Sequence, residues 1–135
     1  MARKTTEKPS ELELQVLSLL WQRGRMTARE VLEALPDRKP RAYTTVLSVM
    51  QVMEKKGLLK RDSQAVTHVW RPAVTRRQVL GPMLRTLLRN VFGGSPSAVL
   101  QQLLNAETVD TAELDEIRRV LDEHGAAGES KKPRT

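Results

Sequence analysis

Apolar residues recur at helical spacing in six stretches of this chain and alternate with period two in one more. Leu12, Val16, Leu17, Leu20 and Trp21 form the greasy face of a first helix. Ser10-Glu11-Leu12-Glu13 opens it as a capping box, the serine accepting a first-turn N–H while Glu13 reaches back, and Gly24 stops it. A second box, Thr27-Ala28-Arg29-Glu30, opens a helix with Val31, Leu32 and Leu35 as its buried stripe, closed by Pro36. After the basic turn PDRKPR, a third helix begins near Ala42 or Tyr43 and runs to about Lys56, where Gly57 ends it. Its core positions are Val46, Val49, Met50 and Met53, and the wheel turns Thr44, Ser48, Gln51 and Lys55 outward.

Leu58–Asp62 and Val66–Arg71, joined at Ser63-Gln64-Ala65, predict a β-hairpin, with Val66, His68 and Trp70 alternating against Thr67, Val69 and Arg71. Thr75-Arg76-Arg77-Gln78 then opens a fourth helix, in which Gly81-Pro82 predicts a kink or a restart. Past the break Gly93-Gly94-Ser95-Pro96, a fifth helix covers about Ser97–Asn105. A sixth starts at Asp110 or Thr111 and ends before Gly125. Three helices and a hairpin within about 65 residues are the element order of a winged helix-turn-helix. The predicted fold is mainly α with a small β-hairpin. It comprises a winged helix-turn-helix domain at 10–74 and a helical dimerisation region at 75–124, between a disordered N-terminus (1–9) and a disordered tail (125–135).

Charge sharpens this division. Residues 1–77 hold 16 Lys and Arg against 8 Asp and Glu, a net of +8, while residues 78–135 hold 7 against 8, a net of −1. Solubility does not require segregated charge, so a basic half joined to a near-neutral half points to a polyanion partner. The 135 residues suffice for one domain with a small appendage, without a metal or disulfide staple. Cysteine is absent, which excludes disulfides, thiolate metal sites and a cysteine nucleophile. No apolar run approaches the roughly 20 residues of a membrane span, and the first ten residues lack an apolar signal region. The expectation is a cytoplasmic protein with no membrane insertion.

On the third helix, Thr44, Ser48 and Gln51 are candidates for DNA base contacts, since small hydroxyl side chains let the backbone approach base edges. Arg41, Tyr43, Lys55, Lys56, Lys60, Arg61 and Arg71 are candidates for phosphate contacts, with Arg76 and Arg77 beyond them. Tyr43 reads equally well as a staple against the core, and each cation singly as an ordinary solvated charge; their concentration carries the inference. The apolar stripes of the last three helices, Leu84, Leu87, Leu88, Val91, Phe92, Leu100, Leu103, Leu104, Leu114, Ile117 and Leu121, belong to about 50 residues. That is a poor independent core, so two copies packed together would bury both sets.

The runs LELQVLSLLWQRGRMTAREVLEAL, AYTTVLSVMQVMEKKGLLKRD and HVWRPAVTRRQV resemble the penicillinase and methicillin-resistance repressor family over roughly residues 10–124. The resemblance implies a bacterial homodimeric repressor whose winged helix binds a palindromic, double-stranded DNA operator. Its base contacts would map onto Thr44, Thr45 and Ser48. Some members act through a cysteine-rich copper-binding tail, which this chain cannot do. Others are inactivated by a membrane sensor protease at an Asn-Phe bond. Here the equivalent bond is Gln102–Leu103, and the dipeptide does not match.

An enzyme finds little support. His68 and His124 have no Cys, His or carboxylate at ligand spacing, no catalytic or phosphate-loop motif occurs, and no metal or other cofactor is expected. A winged helix that binds protein and not DNA is the alternative, and would want an apolar or acidic face on the third helix. RNA binding would want a stacking platform, and the four aromatics do not form one.

Overall fold

The computed structural model describes residues 9–62 and 67–130. In chain order these form α1 (Glu11–Arg23), α2 (Ala28–Ala34), α3 (Tyr43–Lys55), β1 (Leu59–Asp62), β2 (Val69–Pro72), α4 (Arg76–Val91), α5 (Pro96–Ala106) and α6 (Thr111–Ser130). The expected N-terminal disorder (all but Pro9), the hairpin tip with Val66, and residues 131–135 lie outside the described residues.

Local chemistry sets most of the element ends. Ser10 Oγ accepts from Glu13 N at 3.1 Å while Glu13 Oε1 accepts from Ser10 N at 3.0 Å. Thr27 with Glu30 and Thr75 with Gln78 repeat the reciprocal pair at the starts of α2 and α4. At the end of α3, Gly57 takes φ +83°, which returns Leu58 N to Met53 O at 2.9 Å and Gly57 N to Glu54 O at 3.0 Å. That Schellman turn aims the chain into β1.

Two compact units follow one another, residues 1–86 and 87–135. In the first, Val16, Leu17 and Leu20 of α1, Val31 of α2, Val46, Met50 and Met53 of α3, Leu59 and Trp70 close into one core. Each such side chain contributes about 1.5–3 kcal/mol on burial. β1 and β2 pair antiparallel, with Leu59 opposite Pro72, Lys60 opposite Arg71, Arg61 opposite Trp70 and Asp62 opposite Val69. The segment between α1 and α2 adds a short third rung. Met26 N donates to Trp70 O at 3.0 Å, and Trp70 N to Met26 O at 2.8 Å. Trp70, wholly buried, thus sits where hairpin and helices meet.

Three expectations are corrected. The second strand begins at Val69, and Thr67 and His68, expected within it, lie exposed ahead of it. Of the two outcomes expected at Gly81-Pro82, the restart does not occur: α4 runs on through Pro82. A residue before proline is driven from helical geometry by a clash involving its Cβ, and Gly81 has none. The sixth helix continues past Gly125 to Ser130, into the stretch expected as a disordered tail, because Gly125 and Gly128 cost only about 1 kcal/mol each and two alanines, the best helix formers, lie between them. Val74 and Val79 pack against the first core, so the first compact unit takes in the start of α4.

In the second unit no residue of 87–126 is buried within the single chain. Ser95 caps α5 by accepting from Ala98 N at 3.1 Å, and Asp110 Oδ1 accepts from Glu113 N at 2.8 Å at the start of α6. Arg118 pairs with Asp115, and Arg119 with Glu116 and Glu123, along one solvated side of α6. These pairs depress the Glu116 carboxyl and raise the Arg119 guanidinium.

Candidate nucleic-acid interface

The turn before α3 is built around one carboxylate. Asp37 accepts Arg41 Nη1 and Nη2 at 2.8 and 2.9 Å, Lys39 N at 3.1 Å and Gln15 Nε2 at 3.3 Å. The Arg41 fork is the main reason that the Asp37 carboxyl is held well below the usual carboxylate range, and Arg41 is raised in turn. Arg38 takes φ +55° to let the chain turn there. Arg41, expected at a phosphate, is 15% exposed in its side chain and ties the start of α3 to this turn.

From that start, α3 presents Tyr43, Thr44, Thr45, Ser48, Gln51, Val52 and Lys55 as its exposed residues, with no carboxylate among them. Ala42 at the N-cap offers no side-chain acceptor, so no side chain caps the first-turn N–H groups of this helix. Such groups and the helix dipole favour an approaching anion. The four base-contact candidates therefore stand together on one accessible face.

The phosphate candidates separate. Lys56 Nζ lies 3.1 and 3.0 Å from the two carboxylate oxygens of the buried Glu13, joining the end of α3 to α1. Removing one member of such a pair leaves a buried charge uncompensated. Lys55 and Lys60 are exposed. Lys60 and Arg71 face one another across the strands, on the side opposite Arg61 and Trp70. Arg61 stands with its guanidinium carbon 5.6 Å from the Trp70 ring centroid, and its Nε 3.8 Å from a Glu54 oxygen. Arg76 is stacked on Trp21 at 5.3 Å, where Trp21 Nε1 donates to Val74 O at 2.9 Å. Arg77 is exposed.

A groove of about 620 Å³ runs between α2, α3 and the hairpin, lined by Thr27, Ala28, Arg29, Tyr43, Leu47, Gln51, Arg61, Thr67, His68 and Trp70. It brings Tyr43, Gln51 and Arg61 together with Arg29, which sequence reasoning passed over. Arg29 lies 4.8 Å over the Tyr43 ring. That stack joins two helices, so nothing in the local pattern around Arg29 announces it.

Of the dimerisation candidates, Leu84, Leu87, Val91, Leu103, Leu104 and Leu121 are exposed in the single chain, while Leu88, Phe92, Leu100, Leu114 and Ile117 are half-buried. Gln102 and Leu103 are exposed but lie within α5, not in an extended loop. Among the described residues no helix is long and apolar enough to cross a membrane, and no cluster of side chains suits a metal.

Comparison with known proteins adds a family. The sequence model of the family described as penicillinase repressor matches residues 9–123. A transcriptional regulator BlaI of Mycobacterium tuberculosis is 35% identical over 125 residues, 91% of this chain and 89% of that protein. A penicillinase repressor of Bacillus licheniformis is 20% identical over 115 residues, 85% of this chain and 90% of its own. Among solved structures, the DNA-binding domain of the repressor BlaI aligns with 55% of this chain and 90% of its own at a TM-score of 0.47 and 22% identity.

Proposed function

The chain belongs to the penicillinase repressor family, and from that premise we propose that it is a transcriptional repressor that binds duplex DNA. The observation that carries the reading is the exposed face of α3. Thr44, Thr45, Ser48, Gln51 and Lys55 stand there without a carboxylate, in the half of the chain with a net charge of +8. Helix α3 enters the major groove, its hydroxyls and amide reading base edges, while Lys55, Lys60, Arg61 and Arg71 hold phosphates. The protein works in the cytoplasm, where its DNA is, and catalyses no reaction.

The active form is a homodimer through residues 75–124. No residue of α5, or of α6 as far as residue 126, is fully buried within one chain, and Leu103, Leu104, Val120 and Leu121 are exposed. A second copy covers these side chains, and its twofold axis places the two α3 helices on a palindromic operator. A membrane-bound sensor protease enters this reading through the family resemblance alone. Cleavage at Gln102–Leu103 would require α5 to open locally.

Binding of the full chain to duplex DNA from upstream of its own gene tests the proposal, beside random duplex and RNA. The operator is expected to bind tightest, with log K falling against log[salt] at a slope near −7 if a dimer neutralises about eight phosphates. Thr44→Ala or Ser48→Ala should cost the operator about 1 kcal/mol each, while Lys60→Ala weakens all duplexes alike. Binding that ignores salt, or equal effects of all three variants on every duplex, would remove the assignment. A chain that binds no nucleic acid leaves the protein-interaction module as the better reading.

A further inference from the structure

We infer that the groove between α2, α3 and the hairpin holds one sugar–phosphate strand of the duplex, gripped by Arg29 and Arg61, each set in place by an aromatic ring. This rests on the reading that α3 enters the major groove. A helix with its side chains is about 10–12 Å across, and the groove it fills is about 12 Å wide. The two DNA backbones that wall the groove must then lie against whatever borders α3. On one side that border is this groove, which shares Tyr43 and Gln51 with the exposed face of α3.

The lining has the chemistry of a phosphodiester site. Among the described residues no carboxylate lines it, and its polar members are arginines, hydroxyls, an amide, His68 and the Trp70 indole. Arg29 lies 4.8 Å over the Tyr43 ring, and among the described residues no carboxylate pairs with it. Arg61 lies 5.6 Å from the Trp70 ring, with Glu54 at 3.8 Å as a weak second partner. An arginine whose guanidinium lies over a ring keeps its N–H donors free for a further acceptor. It also loses less freedom on closing over a phosphate than one loose in solvent. The stacks therefore preorganise two cations that belong to different elements for the same strand.

The test is fluorescence anisotropy of the full chain on its upstream duplex and on random duplex, from 50 to 200 mM salt. Urea unfolding confirms that each variant is folded. Arg29→Gln and Arg61→Gln should each make the slope of log K against log[salt] shallower by about 0.9, on both duplexes, with roughly tenfold weaker binding. Tyr43→Leu, which keeps the charge and removes the ring, should retain the wild-type slope while weakening binding a few-fold. Tyr43→Phe should restore the affinity. Arg29→Gln should cost less in the Tyr43→Leu background than alone. If Arg29→Gln keeps wild-type affinity and slope while Thr44→Ala still erodes operator preference, the strand does not run here, although DNA binding through α3 stands. Wild-type protein that binds no duplex overturns both.

Discussion

Truncating Leu121 should loosen the dimer without touching the DNA-binding half. Leu121 lies on α6 and remains 55% exposed in the single chain. Complete burial of a leucine side chain is worth about 1.5–3 kcal/mol, so covering the half still in water contributes about 1–1.5 kcal/mol. A twofold interface uses the side chain twice, which makes about 2–3 kcal/mol per dimer. At 1.4 kcal/mol for each tenfold, Leu121→Ala should raise the dimer dissociation constant roughly 30- to 150-fold. Alanine is the best helix former, so α6 itself is not weakened. Arg118→Ala is the control, because the Arg118–Asp115 pair is about two-thirds exposed and such pairs are worth about 0–1 kcal/mol. Sedimentation equilibrium over a range of concentrations measures both variants, with far-UV circular dichroism to verify helix content. A dissociation constant unchanged by Leu121→Ala, or moved as much by Arg118→Ala, would refute the reasoning that this apolar face holds the two copies together.

Two further expectations concern the DNA-binding half. Trp70 is fully buried, and its indole Nε1 has no hydrogen-bond partner among the described residues. Trp70→Ala should cost about 3–5 kcal/mol in urea unfolding, whereas Trp70→Phe should lie within about 1 kcal/mol of wild type, the relieved donor offsetting the smaller void. Equal losses in the two would contradict that balance. The Asp37 carboxyl is depressed from its ordinary value of 3.8, chiefly by Arg41, so its contribution to stability is complete above that value and is lost as pH falls toward the folded one. The difference in urea midpoint between wild type and Asp37→Asn should be constant from about pH 5 to 8 and narrow steadily below about pH 4. A difference that persists undiminished in acid would exclude the ion pair as its source.

What could be read ahead of the structure was whatever the chain decides within a turn or two. The capping boxes at Ser10, Thr27 and Thr75 and the glycine stop at Gly57 each depend on neighbours three to six residues away, and all four stand as read. Where a local preference met a local exception, the reading slipped. Pro82 invites a restart, but Gly81 ahead of it carries no Cβ to clash and the helix continues. Leu19 is buried although the stripe drawn for α1 left it out, because α1 packs on α2, α3 and β2 and so buries a wider face than one stripe. The charged residues were least legible. Lys56 finds Glu13 across 43 residues, and Arg29 finds a ring on another helix. Periodicity marks a cation as exposed or not. Only the packed fold shows which cations are already engaged and which are held ready.

In this reading two copies of the chain present α3 to one duplex about a twofold axis. Selection of bound duplexes from a random-sequence pool by the full-length protein tests it most directly. The expected outcome is an enriched inverted repeat whose half-site centres lie about 10–10.5 base pairs apart, or a multiple of that spacing, because one helical turn separates successive major grooves on the same face. A pool that shows no enrichment, or one that converges on a sequence without a dyad, would contradict it.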